Sequence, residues 1–559
     1  MKNLKNNIYK IDFFLIFFLT IYTVAILTWY YKPPWFIDHL TYVLTALPQD
    51  INDLKFWHTV SPNLPEGTLS ERWAVLVPII IFNKILFFLP PHLSSQAFII
   101  SVWIFILIFS YIFVKKEYSP LHAKIFLIIF VLGIHHTKNR ATEILADPVG
   151  VLLVIMLFMI NSFYTTKLKY YFIGILFLLI PLTKIHYGIF IIIFIFFNFK
   201  KTLYALPKII YGFLGGVIFC ELVFFINYDL EMFYQINLNT YETIKFYFME
   251  GGTRWSSMSG DKYWSTLWLE TILSHLFLPP IFLILFIKYL FKPNKNLMFE
   301  NLTISFLILL LFFSYFVSFP NNDSYAYPIF IFSIIFFTQL IVDIKPKHLS
   351  NIKYIQIILI IFVMIYPVSY YCSFNSCFTP KHKLLLDEFL FVFSIIYIPI
   401  VLINFNNALR FILIMPIIFI SFFSHNYYYM KIHQSWKIGY NSHYQYLNAT
   451  VDLIKEKNSN YLIVYESWPM YGKKYRESLY PKLGLQNMTR KNITVNFLSD
   501  KIKKDDSIVL KDFIITDYLI SEEIIENLNI KLLNKKNFLS NTTNRPERKI
   551  NLFLYKKQI

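Results

Sequence analysis

Charge is scarce in this chain. Only 15% of its 559 residues are Asp, Glu, Lys or Arg, against about 25% in a soluble protein. Set beside 56% hydrophobic residues and repeated apolar runs near the length of a membrane crossing, that deficit excludes a large soluble core. The runs are continuous rather than alternating. This selects helices over a barrel, because backbone polar groups in lipid must be satisfied within the spanning structure. Cysteine is almost absent: Cys220, Cys372 and Cys377 are too few for a disulfide framework. Cys372 and Cys377 are close enough in sequence to pair on an oxidising side, with free thiols the expected state. There is no Gly-rich phosphate loop and no tandem repeat. No small-residue cleavage site follows the first apolar run, so that run is expected to be retained. Acids number 34 against 52 Lys and Arg, a net charge of +18. No basic stretch is interleaved with a recognition motif, so a nucleic-acid partner is not expected.

The basic excess sits largely in short loops and in the C-terminal tail, and in the loops it reads as topology. The N-terminal tail MKNLKNNIYK is placed inside by its lysines. A first span over about Ile11 to Tyr31 then delivers the following loop, roughly 32–94, to the outside. The stretch 74–90 carries Pro78, Asn83 and Lys84 and ends in Pro90-Pro91, which suits an interfacial helix rather than a crossing. With 95–114 as the next span, Lys115/Lys116, Lys167/Lys169, Lys200/Lys201, Lys292/Lys295, Lys345/Lys347 and Arg410 all fall inside. The expected architecture is an α-helical polytopic membrane protein with about 13 transmembrane helices. Residues 1–428 form that membrane domain, with N-terminus inside. Residues 429–559 form a separate extracytoplasmic α/β domain. There HYQYLNATVDLIKEK has helical spacing, and 460–466, 512–521 and 551–557 read as strands.

The outer loops hold the distinctive residues. WYYKPPWFIDHLTY, Trp29 to Tyr42, sets Asp38 just beyond the first span, with His39 and Tyr42 beside it. The first loop also carries Glu66, Glu71 and Arg72. HHTKNRATEILADP, His135 to Pro148, supplies Lys138, Arg140, Glu143 and Asp147, and LTKIHY supplies Lys184. A loop of about 228–264 contains EGGTRWSSMSGDKYW with Arg254, and PNNDSYAYP follows at Pro320 to Pro328. An acid held at a membrane-water boundary, as Asp38 is, is placed to act on a substrate delivered from the lipid. Asp147 stands where a helix N-terminus favours negative charge. Lys184 lies between two apolar runs, where an unpaired ammonium is costly.

The order of these features resembles one family. An acid follows the first span. An interfacial stretch comes next, then YIFVKKEYSPLHA, RATEILADPVGVLLVIML, PLTKIHYGIF and a turn with SYAYPIFIF, with a soluble domain at the end. This is similar to the GT-C superfamily of polytopic glycosyltransferases, in the branch of protein O-mannosyltransferases and lipid A aminoarabinose transferases. The motif order covers about 1–345. The resemblance implies a polyprenyl-phosphate-linked sugar donor, an extracytoplasmic site, and inverting transfer to a hydroxyl of a lipid, glycan or protein acceptor. It maps the family's acid onto Asp38, as the base that takes the proton of the attacking hydroxyl, and its threonine-lysine pair onto Thr183-Lys184. On the same resemblance His39, Tyr42, Glu143 and Asp147 are candidates to position donor or acceptor, and Arg72, Lys138, Arg140, Lys184 and Arg254 to meet the phosphate. Where many relatives carry two acids, this chain has Asp38-His39. No metal or other cofactor is expected, although Asp38, Glu143 and Asp147 could converge on a divalent ion. The competing readings are a transporter or flippase of a lipid-linked glycan precursor, and a glycan polymerase or ligase of the O-antigen type. A transporter is disfavoured because the polar residues cluster at one face rather than at the bilayer midplane.

Overall fold

In a computed structural model, the structure describes residues 12–28, 37–48, 51, 54, 69–133, 141–142, 144–249, 334–335, 338, 449–454, 461–464, 495–497, 513–516, 519–542 and 545–557. The first of these form a helical bundle. Its helices are α1 (Phe13–Thr28), α2 (Ile37–Ala46), α3 (Trp73–Ile85), α4 (Pro91–Glu117) and α5 (Pro120–Ile128), the last widening into a π-helical turn over Ile129–Gly133. Then come α6 (Ala146–Phe163), α7 (Lys169–Leu179), α8 (Gly188–Phe197), α9 (Phe199–Asn227) and α10 (Leu230–Met249). Among the described residues three helical stretches, Pro91–Glu117, Ala146–Phe163 and Leu206–Asn227, are long and apolar enough to cross a membrane. The chain is an integral membrane protein. Phe13–Thr28, where the first span is expected, and Pro120–Val131 and Lys169–Leu179 are apolar but shorter, and the crossings expected beyond residue 249 fall almost wholly outside the described residues. Helix α3 has 13 residues, a length of about 20 Å, short of the bilayer core. Seven residues from Trp73 to Ile80 are buried against its neighbours, and its apolar C-terminal end, with Ile85, Phe87 and Phe88, is exposed.

Side-chain contacts sort the bundle into two ends. At one end, Asp12 accepts hydrogen bonds from Tyr111 and from Lys115, the latter at 2.8 Å. Lys116 sits over the Phe163 ring at 3.9 Å and Lys124 over Phe14 at 5.5 Å. Lys169 and Lys201 lie close enough for their charges to act on each other. Three of the lysine pairs expected inside are therefore gathered at one end. Partial burial raises the Asp12 carboxyl, but the Lys115 and Tyr111 hydrogen bonds, the Lys115 charge and the Leu15 N–H together overcome it. The result is a carboxyl held down at about 2.

Among the described residues, α7 and α9 approach backbone to backbone, and glycine makes it possible. A Cβ on Gly174 would stand 2.0 Å from the Ile209 carbonyl oxygen, and one on Gly212 would stand 2.0 Å from that of Tyr171. Gly216 faces Leu178 in the same seam. Small residues four apart let two membrane helices approach backbone to backbone. Contacts running from Tyr171/Gly212 to Leu178/Gly216 make the two helices parallel, with α8 returning between them.

Farther along, five strands form one sheet in the order β2-β1-β3-β5-β4. They are β1 (Tyr461–Val464), β2 (Val495–Phe497), β3 (Phe513–Thr516), β4 (Ile530–Thr542) and β5 (Arg545–Lys557). β1 runs parallel to β2 and β3, while β5 is antiparallel to β3 and β4. Three of the strands coincide with the three expected ones. β4 was not expected: Lys531, Lys535 and Lys536 break up its apolar pattern, as suits a sheet edge. Helix α11 (Glu522–Leu528) covers Ile514, Ile530, Phe553 and Tyr555, and the Tyr555 hydroxyl accepts the Ile520 N–H at 3.1 Å.

Candidate functional site

The end of the bundle opposite the lysines holds Glu71, Arg72, Asp147 and Lys184. Asp147 lies in the first turn of α6 and is fully buried. The Lys184 ammonium donates to its carboxylate at 2.6 Å, with 11% of the lysine side chain exposed. The turn carrying Lys184 is held from a second side. Tyr187, in a single 3₁₀ turn over Ile185–Tyr187, donates its hydroxyl to the Asp147 carbonyl at 3.1 Å. Its ring lies against Gly150, where a Cβ would stand 2.8 Å from the ring. Lysine and tyrosine thus grip the same turn of α6, one through the carboxylate and one through the backbone.

A second cluster is built on α2 and the entrance to α3. Glu71 is buried, accepting the Leu69 N–H at 2.9 Å and the Arg72 Nε–H at 3.1 Å. Leu69 has φ of 89°, a left-handed conformation that costs a side-chain-bearing residue about 1–2 kcal/mol. The Glu71 carboxylate holds that turn in place. Arg72 donates to the Tyr42 hydroxyl at 2.7 Å, its guanidinium 5.8 Å from the centre of the Tyr42 ring. Tyr42 lies on α2 one turn after Asp38, so the backbone places Asp38 on the same side of that helix.

The two clusters are joined. The Ala74 N–H donates to the Leu182 carbonyl at 3.4 Å, bringing the start of α3 to the turn before Lys184. The Tyr228 hydroxyl lies within hydrogen-bond reach of the Thr45 and Ala46 carbonyls at 3.2 and 3.1 Å, fixing the end of α2 to the end of α9. Trp73 packs edge-on against Phe224, ring centres 5.7 Å apart, and donates its indole N–H to Thr240 at 3.2 Å. The structure therefore brings Tyr42, Arg72, Asp147 and Lys184 to one end of the bundle. It places the Asp38 and His39 backbones in the first turn of α2, while their side chains fall outside the description. Glu66, Lys138, Arg140, Glu143 and Arg254 lie outside the described residues. Among the described residues no group of three His, Cys, Asp or Glu side chains is placed to hold a metal.

Several residues that build the site gave little sign in the sequence. Glu71 is noticeable as an acid but not as the partner of Arg72. Trp73 and Thr240 meet across 167 positions, which no local pattern reveals. The segment read as part of a loop over 228–264 contains the 20-residue helix α10. Its periodic Leu230, Tyr234, Leu238 and Tyr241 were the available signal.

No protein-family model matches the chain, and no curated protein matches it in sequence. A solved structure does share its fold. ArnT from Cupriavidus metallidurans bound to undecaprenyl phosphate aligns at a TM-score of 0.52 and 11% identity, covering 97% of each chain. The same protein in the apo state gives a TM-score of 0.48, again at 11% identity and 97% coverage. A mostly helical fold with membrane-crossing helices is thus shared with ArnT, a coarser statement than the expected thirteen crossings and C-terminal α/β domain.

Proposed function

We propose that this chain is a membrane glycosyltransferase that moves a sugar from a polyprenyl-phosphate donor to an acceptor hydroxyl, with Asp38 as base. The observation that carries the reading is the convergence of two cation–carboxylate pairs at one bundle end, Arg72–Glu71 and Lys184–Asp147, with Asp38 on the helix that Tyr42 ties to Arg72. The shared fold with an undecaprenyl-phosphate-bound protein supports it.

In the proposed reaction the acceptor oxygen attacks the anomeric carbon as its proton passes to the Asp38 carboxylate. The bond from that carbon to the phosphate oxygen breaks, and its electron pair leaves with the polyprenyl phosphate. A single displacement inverts the anomeric configuration. The anomeric carbon takes on oxocarbenium character, which nearby carboxylate charge stabilises. Arg72 and Lys184 meet the negative charge growing on the phosphate. Their carboxylate partners hold these cations in place near the membrane without net charge. Lys138, Arg140 and Arg254 are further phosphate contacts in this reading, and His39 and Glu143 position donor or acceptor, while buried Asp147 positions Lys184. No metal is required. The site faces the extracytoplasmic side of a bacterial cell membrane, opposite the lysine-rich end, and the sheet of residues 461–557 belongs to an extracytoplasmic domain beginning near residue 429.

The test is sugar transfer from radiolabelled polyprenyl-phosphate sugars in membranes, comparing the wild type with Asp38→Asn. Transfer is expected to fall by about 10²–10⁴-fold, the contribution of a positioned base, with insertion unchanged. Equal transfer by both proteins removes Asp38 from the mechanism.

A further inference from the structure

We propose that α10 lies in the membrane interface at the site-bearing end, with the face formed by Leu230, Tyr234, Leu238 and Tyr241 against bilayer lipid. The helix is built inside out. At 3.6 residues per turn those four residues share one arc, and they are 75%, 67%, 38% and 62% exposed. The opposite arc is largely polar and buried: Asn239, Thr240 and Thr243 lie there with Ile236. A helix facing water shows the reverse arrangement.

The buried polar arc is used. Asn239 donates to the Leu54 carbonyl at 3.1 Å and accepts from Gln235 at 2.7 Å. Thr240 accepts from Trp73 and reaches the Ser70 carbonyl at 3.0 Å. These bonds fix the rotation of α10, so the apolar arc points outward by construction.

What covers that arc follows from its continuity with α9. Leu222, Phe225 and Ile226, at the end of a helix apolar enough to cross the membrane, are 52%, 59% and 66% exposed. Helix α10 starts three residues after α9 ends and turns back beside it. Phe233 meets Phe225 edge-on at 5.6 Å, and Asn237 donates to Glu221 at 3.0 Å. The outward arc therefore continues the lipid-facing surface of α9's last turns. Exposed Glu231 and Glu242 border the arc on one side, where they reach water, and tyrosine suits the headgroup region. α10 is too polar to cross the bilayer and too apolar on this arc to stand in water.

The test is nitroxide accessibility in lipid nanodiscs, on the full chain with Cys220, Cys372 and Cys377 replaced by alanine. Single cysteines at 230, 234, 238 and 241 are labelled and compared with Glu242→Cys. The four sites are expected to show strong relaxation by oxygen and loss of relaxation by a water-soluble nickel chelate, with the reverse at 242. Strong nickel relaxation at all five sites means that α10 stands in water and overturns the proposal. Protection from both reagents means that protein covers the arc, and also overturns it. In the chain with its native cysteines, a photo-crosslinking benzoylphenylalanine at 234 gives a second readout. Crosslinking to lipid supports the proposal, and crosslinking to protein alone refutes it. Neither readout depends on transfer activity.

Discussion

Replacing Lys184 by methionine leaves a carboxylate with no exposed surface facing the place of its cation. The Asp147 side chain is 0% exposed and its oxygen lies 2.6 Å from the ammonium. Breaking a buried pair from one side costs about 3–5 kcal/mol, because the remaining charge keeps its desolvation penalty and loses its compensation. Lys184→Met is therefore expected to lose that much stability in thermal or denaturant unfolding of the detergent-solubilised protein. Asp147→Leu with Lys184→Met removes both charges and is expected to recover most of the loss, since apolar replacement of a buried pair is often neutral. The cycle of two single variants and the double variant isolates the coupling. Transfer is then measured on the stable double variant. If transfer stays lost while stability returns, the pair acts on the substrate as well as on the fold. A single substitution costing less than about 1 kcal/mol, the value of an exposed pair, refutes the buried pairing itself.

Two further outcomes follow from the packing and the opposite end. Gly174→Ala and Gly212→Ala each press a methyl into a backbone carbonyl at 2.0 Å, and each is expected to destabilise by about 1–3 kcal/mol or more. Gly215→Ala, with nothing within 4 Å, is expected to be neutral, so equal melting of all three variants refutes the seam. Asp12 is held down at about 2 against an ordinary value of 3.8. Its contribution is present above the ordinary value and lost as pH falls from there toward 2. Wild-type melting is therefore expected to drop more steeply than that of Asp12→Asn across that window, and parallel profiles would contradict the clamp.

The sequence reading reached the residues of the site better than their partners. Asp147 and Lys184 each stood out, one as an acid at a helix start and the other as an ammonium between apolar runs. Their pairing spans 37 positions and depends on the turn that Tyr187 holds, which loop composition does not encode. The lysine pairs predicted one end of the bundle because charge at membrane boundaries obeys a simple energetic rule. Helix α10 was missed for the opposite reason. Its apolar residues face outward and its polar ones inward, so its average hydropathy resembles a loop. Strand β4 escaped because its lysines interrupt the alternation that marks strands, whereas β1, β3 and β5 lie in apolar runs that declare themselves.

The seam between α7 and α9 also has a mechanical meaning. The chain leaving α7 carries Lys184. The far end of α9 carries Phe224 and Tyr228, which hold Trp73 and the last turn of the helix bearing Asp38. Backbone pressed on backbone at Gly174 and Gly212 leaves no side-chain layer to compress. The two halves of the site are thus the jaws of a vice with a fixed opening. Under the proposed function, admission of a lipid-borne donor has to come from the parts hung on the vice, not from the vice itself.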